Sequence, residues 1–343
     1  MTPIESPPPD RAAQVSAFFD VLWGAIPMQC LFVVAKLGVA DQLVDGPRPL
    51  VDVATDVGAD ADALSRIVRA LVPLGVFTRP APGSLALGPI GELLVDDRAG
   101  SLRFLAIFWG EEVFRAWGDA LHSARTGKPA FDHVFGEQHW DWLSTRPEKA
   151  RTFDRATSGG AASRMPPLLA RDWSDASTVV DVGGGSGSLL RAVLLQEGHL
   201  HGTLFDLPHV VDTARPLIDA DRLGGRCQIV GGSFFEEIPA GADIYLLAQI
   251  LHDWNDEDAL RIVRGVREAV PRDGLLFVVE LIIPDDDGPH PSKLLDLQML
   301  ILLGGRERSL EEWRDLLARG GFEVDDVSPG PRSSVITARP VGR

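Results

Sequence analysis

The chain is poor in cysteine, with only Cys30 and Cys227 in 343 residues. Two distant cysteines cannot form the disulfide framework of a small secreted protein, so we expect a reducing compartment. The N-terminal stretch MTPIESPPPD lacks the basic and apolar regions of a signal peptide. No uninterrupted apolar run approaches the roughly 18 residues of a membrane-spanning helix. These absences predict a cytoplasmic protein without a membrane partner.

Basic residues are also scarce, since 33 Lys and Arg stand against 49 Asp and Glu, for a formal net charge of -16. An acidic surface repels the phosphate backbone of nucleic acids. The charge balance therefore predicts no nucleic-acid partner.

The N-terminal part predicts short helices. After a disordered tail at 1–10, residues 11–100 contain a nearly apolar helical stretch, two helical patterns around Gly58 and Asp60, and a hairpin with its turn at Gly83. This order is typical of a winged helix-turn-helix, which either binds DNA or serves as a dimerisation module. The acidic charge favours dimerisation, so we expect a homodimer.

Residues 101–175 predict further helices rich in Trp and Phe, and we interpret them as a helical linker. Aromatic side chains at such a position either form core or line a cavity for a flat organic ligand. The sequence does not choose between the two.

Residues 176–343 alternate between strand and helix patterns, which predicts a doubly wound, mostly parallel Rossmann-like sheet and an α/β fold class overall. We expect strands at 178–183, 202–207, 226–231, 243–251, 274–283, 322–327 and 333–338. We expect helices at 186–197, 209–220, 256–270, 292–303 and 309–320.

A glycine-rich turn, DVGGGSG, follows the first of these strands and precedes a helix. Such a turn lets the backbone approach a nucleotide closely. It does not match the strict dinucleotide fingerprint G-x-G-x-x-G/A, so an adenosine ligand without phosphates fits better. Asp206 ends the second strand, where an acid can accept hydrogen bonds from ribose hydroxyls or, alternatively, cap the helix that begins near Pro208.

Four segments together resemble the S-adenosylmethionine-dependent, metal-independent O-methyltransferases, a family that includes plant caffeate-type and bacterial natural-product enzymes. They are DVGGGSG, FDLPHVV, the stretch from GGSFFEE through LLAQILHDW, and DLQMLILLGGRERSLEEW. The resemblance covers nearly the whole chain, including a winged-helix dimerisation domain. It implies S-adenosylmethionine as cofactor, S-adenosylhomocysteine as product, and no metal.

The resemblance also implies a set of cofactor-binding residues. Gly183, Gly185 and Gly187 would meet the methionine part, and Asp206 would hold the ribose. Ser233 and Phe234 would flank the adenine, although the family usually has Asp where Ser233 stands. Further upstream, Arg151 and Phe153 match a stretch that approaches the cofactor.

His252 follows the predicted buried strand 243–251, at the edge of the sheet where ligands bind. A neutral imidazole there can accept the proton of a hydroxyl, and in the related enzymes this histidine is the general base. Glu280 and Glu307 are the two carboxylates that the resemblance places beside it. Asp253 would bind the acceptor or, alternatively, cap the helix that begins near Asp256.

The acceptor pocket is expected near the helix predicted at 292–303. Its expected members are Met165, Leu295, Gln298, Met299 and Trp254. An apolar wall containing methionine suits a flat aromatic ring, but the same spacing is typical of plain core.

These features predict an O-methyltransferase that methylates a phenolic hydroxyl of a small-molecule natural product, as in secondary metabolism or antibiotic biosynthesis. The alternatives are an N- or C-methyltransferase for a heteroaromatic acceptor and a non-methylating decarboxylase or hydroxylase that retains the cofactor. A third, from another class, is a cofactor-sensing winged-helix regulator.

Overall fold

A computed structural model gives the fold and describes residues 10–161, 165–330 and 332–342. Contacts within the chain divide it into two compact units, one ending at Glu112 and the other beginning at Val113. Of the tail predicted at 1–10, only Asp10 is described, and residues 162–164 of the predicted linker also lie outside the described residues. The predicted α/β class, with a helical N-terminal unit and a large C-terminal sheet, is confirmed.

The first unit is mainly helical. Its helices are α1 (Arg11–Leu22), α2 (Ala25–Leu37), α3 (Leu50–Asp56), α4 (Ala61–Leu71) and α5 (Arg103–Phe108). Its strands are β1 (Arg48–Pro49), β2 (Phe77–Thr78) and β3 (Ser84–Leu87), in the antiparallel order β1-β3-β2. Asp60 caps α4 by accepting from the backbone of Ala63, and Gly83 takes the positive φ of 74° that the hairpin turn requires. The predicted helix-turn-helix and hairpin are both present.

The stretch Arg11–Leu37 contradicts the expectation that no segment has the length and composition of a membrane helix. Its 27 residues pass by length and hydropathy, because isolated charges such as Asp20 interrupt the apolar run without lowering its mean hydropathy enough. No residue of α1 is buried, and Phe18 and Val21 are 63% and 83% exposed. An exposed apolar surface of this kind marks a contact with a membrane or with another protein.

The second unit is built on a seven-stranded sheet. Its strands are β4 (Thr178–Val182), β5 (His201–Asp206), β6 (Cys227–Gly231), β7 (Ile244–Ala248), β8 (Leu275–Glu280), β11 (Phe322–Ser328) and β12 (Ser334–Pro340). The order is β11-β12-β8-β7-β4-β5-β6, parallel from β8 through β6, with β12 and β11 antiparallel at the other edge. Two short strands, β9 (Ile282–Ile283) and β10 (Arg308–Ser309), form a separate parallel pair.

The second unit also contains the helices α6 (Phe114–Trp117), α7 (Ala120–Thr126), α8 (Ala130–Phe135), α9 (His139–Ser144), α10 (Pro147–Ala161), α11 (Met165–Leu169), α12 (Ser188–Gln196), α13 (Pro208–Ala220), α14 (Asp256–Ala269), α15 (Pro291–Leu302) and α16 (Leu310–Arg319). Of these, α14 and α16 pack against one face of the sheet, and α11, α12 and α13 pack against the other. In β7, Tyr245 and Leu247 pack into one core and Leu246 into the other, because successive side chains of a strand point to opposite faces. Because β8, β7, β4, β5 and β6 are parallel, the carboxyl ends of these five strands meet at one edge of the sheet.

Candidate active site

His252 lies in a short 3-10 turn, Leu251–Asp253, just beyond the end of β7. The strand predicted at 243–251 ends earlier, at Ala248, because Gln249 adopts a φ of 54° and turns the chain. The Gln249 N–H still donates to the carbonyl of Val279 on the neighbouring strand, at 3.0 Å. The turn therefore buries His252, which is only 5% exposed, at the carboxyl edge of the sheet.

Glu280 ends β8 and is fully buried. One of its carboxylate oxygens, Oε1, accepts hydrogen bonds from the backbone N–H groups of Ile250 and Leu251, each at 3.1 Å. Its other oxygen, Oε2, lies 3.7 Å from His252 Nδ1. Glu280 thus holds the turn that carries the histidine and adds negative charge beside the ring.

Glu307 makes the short contact with the ring, since its Oε1 lies 2.6 Å from His252 Nδ1. The loop after α15 brings it there: Arg306 N–H donates to the carbonyl of His252 at 2.9 Å, and Glu307 N–H donates to Asp296 Oδ1 at 2.9 Å. Gly305 is required in this loop, because a Cβ atom would stand 2.1 Å from the carbonyl oxygen of His252. Of the two expected carboxylates, Glu307 therefore orients the imidazole directly.

Arg308 supports the same turn and was not among the residues expected from the sequence. It is 1% exposed, and its guanidinium donates to the carbonyls of Leu251 and Trp254, at 2.9 and 3.1 Å. It also pairs with Asp256 at 2.8 Å. The only signal for it was its place in the GGRERS motif, where a planar donor with several N–H groups can bridge two carbonyls.

Asp253 completes the group, and its Oδ1 lies 3.3 Å from His252 Nε2. The alternative role as a helix cap is wrong, because Asn255 caps α14 by accepting from the backbone of Asp258. We refer to His252, Asp253, Glu280 and Glu307 as the base cluster.

The base cluster has strongly shifted acidities. Burial disfavours the charged imidazole, yet the pKa of His252 is raised to about 10. The cause is the negative charge of the three carboxylates that surround it. Burial raises the pKa of Glu280 to about 7 and that of Asp253 to about 6, and the charge of His252 opposes both shifts. The carboxylates therefore make the imidazole, held at Nδ1 by Glu307, a stronger base than a free histidine, and the neutral ring whose Nε2 can accept a proton becomes more abundant as pH rises.

The segment 183–187, here called the glycine turn, links β4 to α12. Gly183, Gly185 and Gly187 have φ values of 72°, 59° and 73°, which side chains rarely adopt. A Cβ atom on Gly183 would lie 2.5 Å from Ile250, whereas one on Gly185 would meet nothing within 4 Å. The turn is thus closely packed at Gly183 and has open space beside Gly185.

Asp206, at the end of β5, lies directly beside the glycine turn. Its Oδ2 accepts from the Gly185 N–H at 2.8 Å, and its Oδ1 accepts from the Leu207 N–H at 2.6 Å. No side chain caps α13, so the alternative role of Asp206 as a cap is wrong. Burial raises the pKa of Asp206, while these backbone hydrogen bonds act in the opposite direction.

Phe234 also faces the glycine turn, and its ring comes within 3.6 Å of the Cβ position of Gly183. Ser233 Oγ accepts from the Phe235 N–H at 3.2 Å. Trp254 packs edge-on against Phe235, with ring centroids 4.7 Å apart, and against Phe234 at 6.0 Å. Trp254, which was predicted for the acceptor pocket, therefore packs against the ring of Phe234 that is expected to flank the adenine.

Helix α10 is joined to the glycine turn by a hydrogen bond between Ser158 Oγ and Ser186 Oγ, at 2.8 Å. Of the two residues predicted on this helix, Arg151 is exposed, and Phe153 packs edge-on against His139 and Trp140 with centroids 5.5 Å away. Phe153 thus belongs to an aromatic cluster of α9 and α10.

Asp154, which the sequence reasoning missed, also lies on α10, one helical turn before Ser158. Burial, and then the charge of Asp206, raise the pKa of Asp154 to about 6. Asp154 is therefore a further carboxyl group close to the expected ribose ligand.

Helix α15 presents part of the expected acceptor wall. Gln298 and Met299 are buried, 2% and 6% exposed, and Leu295 is half-buried. The Trp117 indole N–H donates to Gln298 Oε1 at 2.7 Å. Met165, by contrast, begins α11 and packs against the core on one face of the sheet.

Two groups in the described part of the chain have the spacing of possible metal ligands. One is formed by three members of the base cluster, His252, Glu280 and Glu307, and the other by Asp119, His122 and His133. The sequence did not suggest the second group, because its members come together only through the packing of α7 against α8. In the first, a direct contact between Nδ1 and Glu307 already satisfies the ring.

Comparison with known protein families gives two matches. The O-methyltransferase domain matches residues 114–323, and the O-methyltransferase dimerisation domain matches residues 19–97.

Similar proteins include a phenazine O-methyltransferase, PhzM, of Lysobacter antibioticus, 40% identical over 95% of this chain and 96% of the relative. The O-demethylpuromycin-O-methyltransferase of Streptomyces alboniger is 38% identical, over 97% and 92%. The phenazine-1-carboxylate N-methyltransferase of Pseudomonas aeruginosa is 34% identical, over 93% and 96%.

Solved structures agree with this grouping. The crystal structure of LaPhzM is 39% identical, with a TM-score of 0.92, over 96% of this chain and 99% of the other. That of NcsB1, an O-methyltransferase from neocarzinostatin biosynthesis in complex with S-adenosylmethionine and 2-hydroxy-5-methyl naphthoic acid, is 35% identical, with a TM-score of 0.79, over 92% and 96%.

Proposed function

This chain belongs to the S-adenosylmethionine-dependent O-methyltransferase family, and we propose that it methylates the phenolic hydroxyl of a small aromatic natural product with His252 as the general base. The observation that carries the proposal is the base cluster, in which Glu307 holds Nδ1 of a buried imidazole and leaves Nε2 to accept a proton. The cluster lies at the same sheet edge as the glycine turn and Asp206, where ligands of open α/β sheets bind.

The residues at this edge suit the cofactor. The glycine turn leaves space above Gly185, and the half-buried carboxylate of Asp206 keeps lone pairs that can accept from ribose hydroxyls. Phe234 offers a ring face beside the turn for the adenine, next to Ser233. Arg151 and Phe153 stay proposed contacts from α10. The bound cofactor supplies an activated methyl group on a sulfonium.

His252 has the chemical task of increasing electron density on the acceptor oxygen. Because Glu307 accepts only, it favours the ring tautomer with its proton on Nδ1, so that Nε2 has a free lone pair. As the phenol transfers its proton to Nε2, the surrounding carboxylates stabilise the imidazolium that forms. Asp253, which lies 3.3 Å from Nε2, is placed to bind the acceptor or to share that charge.

The acceptor is proposed to lie against α15, with Gln298, Met299 and Leu295 as its wall. Its class is inferred from relatives whose names specify aromatic acceptors. The exposed apolar side of α1 is proposed to be covered by a second copy of the chain rather than by a membrane, because the match to the dimerisation family includes all of α2 and the end of α1. We propose a cytoplasmic homodimer.

The test combines cofactor binding with turnover. His252→Ala should bind S-adenosylhomocysteine as the wild type does in calorimetry, yet lose about 10²- to 10⁴-fold in kcat on a phenol panel, the usual contribution of a general base. The matched control is His201→Ala, at an exposed histidine on β5. Unchanged turnover of His252→Ala would remove the base assignment, and absence of cofactor binding by the wild type would remove the proposed function.

N-methylation is the second candidate, favoured by the Pseudomonas N-methyltransferase among the relatives. A ring nitrogen with a free lone pair has no proton to lose, so its methylation would not depend on His252. If the His252→Ala variant still methylates a phenazine, N-methylation would therefore replace O-methylation as the proposed reaction.

A further inference from the structure

Gln298 is a buried polar residue whose amide has a fixed orientation. Its Oε1 accepts from the indole N–H of Trp117 at 2.7 Å. An indole nitrogen can only donate, so the amide oxygen must face Trp117 and the NH2 group must point elsewhere.

That NH2 group is buried and has no hydrogen-bond partner among the described residues. With Gln298 only 2% exposed, bulk water does not satisfy it. Leaving a buried donor unpaired costs a factor of about ten to a hundred in an equilibrium constant. A ligand that supplies an acceptor atom at this point would recover that factor.

Gln298 lies on α15, the helix that also anchors the loop of Glu307. Asp296, two residues earlier on the same helix, accepts from the Glu307 N–H at 2.9 Å, and Glu307 contacts His252 at 2.6 Å. Asp296 and Gln298 are thus about 3 Å apart along the helix axis, although their side chains lie on different sides of the helix. Helix α15 therefore carries both the anchor of the base cluster and the unpaired donor, which we assign to the proposed acceptor wall.

We propose that the NH2 group of Gln298 selects the acceptor: the enzyme methylates aromatic hydroxyls whose ring system also carries a carbonyl or carboxylate oxygen. This inference rests on the proposed function. Because the fixed amide presents only donors, it discriminates against the same ring with a hydrogen in place of that oxygen. Sites with buried donors reject ligands that leave them unpaired more strongly than apolar sites reject a missing methylene.

The test uses matched acceptors, namely 1-naphthol with 1-hydroxy-2-naphthoate, and 2-naphthol with 3-hydroxy-2-naphthoate. For each pair, kcat/KM of the carboxylated ring is divided by that of the plain ring, and the quotients of wild type and variant are compared. Intrinsic differences in hydroxyl acidity cancel in this comparison. Gln298→Met keeps the length of the side chain without its donors and should reduce the preference about ten- to hundredfold.

Two further variants protect the test against a simple packing effect. Gln298→Glu keeps an oxygen for Trp117 but replaces the donors, so the preference should fall at least as far as in Gln298→Met. Leu297→Met, at a residue 45% exposed on the same helix, should keep the wild-type preference. Calorimetry with S-adenosylhomocysteine verifies that each variant is folded and binds cofactor, and acceptor affinities measured in that complex repeat the comparison without turnover.

The outcomes separate the two claims. An unchanged preference in both Gln298 variants, with plain and carboxylated rings still methylated, would overturn the selection by Gln298 and leave the O-methyltransferase proposal intact. A wild-type enzyme that binds cofactor but neither binds nor methylates any of the four rings would overturn both for this acceptor class. A preference lost only in the Gln298 variants would support the inference.

Discussion

Replacing Glu307 by Gln tests the base cluster most directly. The amide occupies nearly the same volume as the carboxylate, so the loop after α15 should keep its shape, while one negative charge beside His252 disappears. The amide can also donate to Nδ1, which would move the ring proton to Nε2 and block proton uptake there. We therefore expect two separate effects on the pH dependence of kcat/KM.

The magnitude follows from the geometry. Glu307 Oε1 lies 2.6 Å from Nδ1, which puts the two charge centres about 4 Å apart, and at an effective dielectric constant of about 20 their attraction is roughly 4 kcal/mol. Because a change of one in pKa corresponds to 1.36 kcal/mol, the variant should lower the raised pKa of His252 by up to about 3. The acidic limb of the profile should move to lower pH, whereas the plateau should fall about 10²-fold or more through the weaker base and the wrong tautomer.

The two effects oppose each other near neutrality, so a rate at one pH is not sufficient. The assay is a full profile of log kcat/KM from pH 5 to 11, beyond the raised pKa of His252, with one phenol for all enzymes, so that ionisation of the acceptor is common to them. Glu311→Gln, at an exposed position on α16, is the matched control for the lost charge. An acidic limb that stays in place in Glu307→Gln, with an undiminished plateau, would refute the role of Glu307 in setting the basicity of His252.

Three further predictions concern stability, metals and assembly. Burial raises the pKa of Asp181 to about 7, so the folded state holds a proton that the unfolded state releases above about 4, and stability falls as pH rises between these values. Asp181→Asn should therefore raise Tm at pH 8 and not at pH 4. The control is Asp243→Asn, which should lower Tm at pH 8, because burial raises the pKa of Asp243 less than its hydrogen bonds lower it. Equal shifts of Tm at both pH values in Asp181→Asn would contradict this prediction. Dialysis against EDTA should leave turnover unchanged, and a loss restored by Zn²⁺ would show that the base cluster holds a metal. Val21→Glu should convert a dimer into a monomer in light scattering, unless α1 contacts something other than a second copy.

The sequence predicted the regular elements of the sheet well, because apolar runs of β7 and β8 and the periodic helix α14 carry strong local signals. It could not predict where β7 ends, since Gln249 has no intrinsic preference for the positive φ that it adopts. Arg308 and the contact between Trp117 and Gln298 were missed for another reason. Each depends on groups far apart in the chain, whose proximity is set by packing rather than by spacing.

The charges around the imidazole give a reason why so many acids surround one base. The base cluster places three carboxyl groups around one imidazole, and uptake of a proton by His252 reduces the excess of negative charge when these groups are ionised. Transfer of the phenol proton is therefore favoured inside the site, because the raised pKa of His252 lies closer than that of a free imidazole to the ordinary value of about 10 for a phenolic hydroxyl. The smaller the difference between the two pKa values, the less free energy the proton transfer costs. The carboxylates thus make the pair of phenolate and imidazolium more accessible than an unassisted imidazole would, and an oxygen with the electron density of a phenolate is the nucleophile that methyl transfer requires.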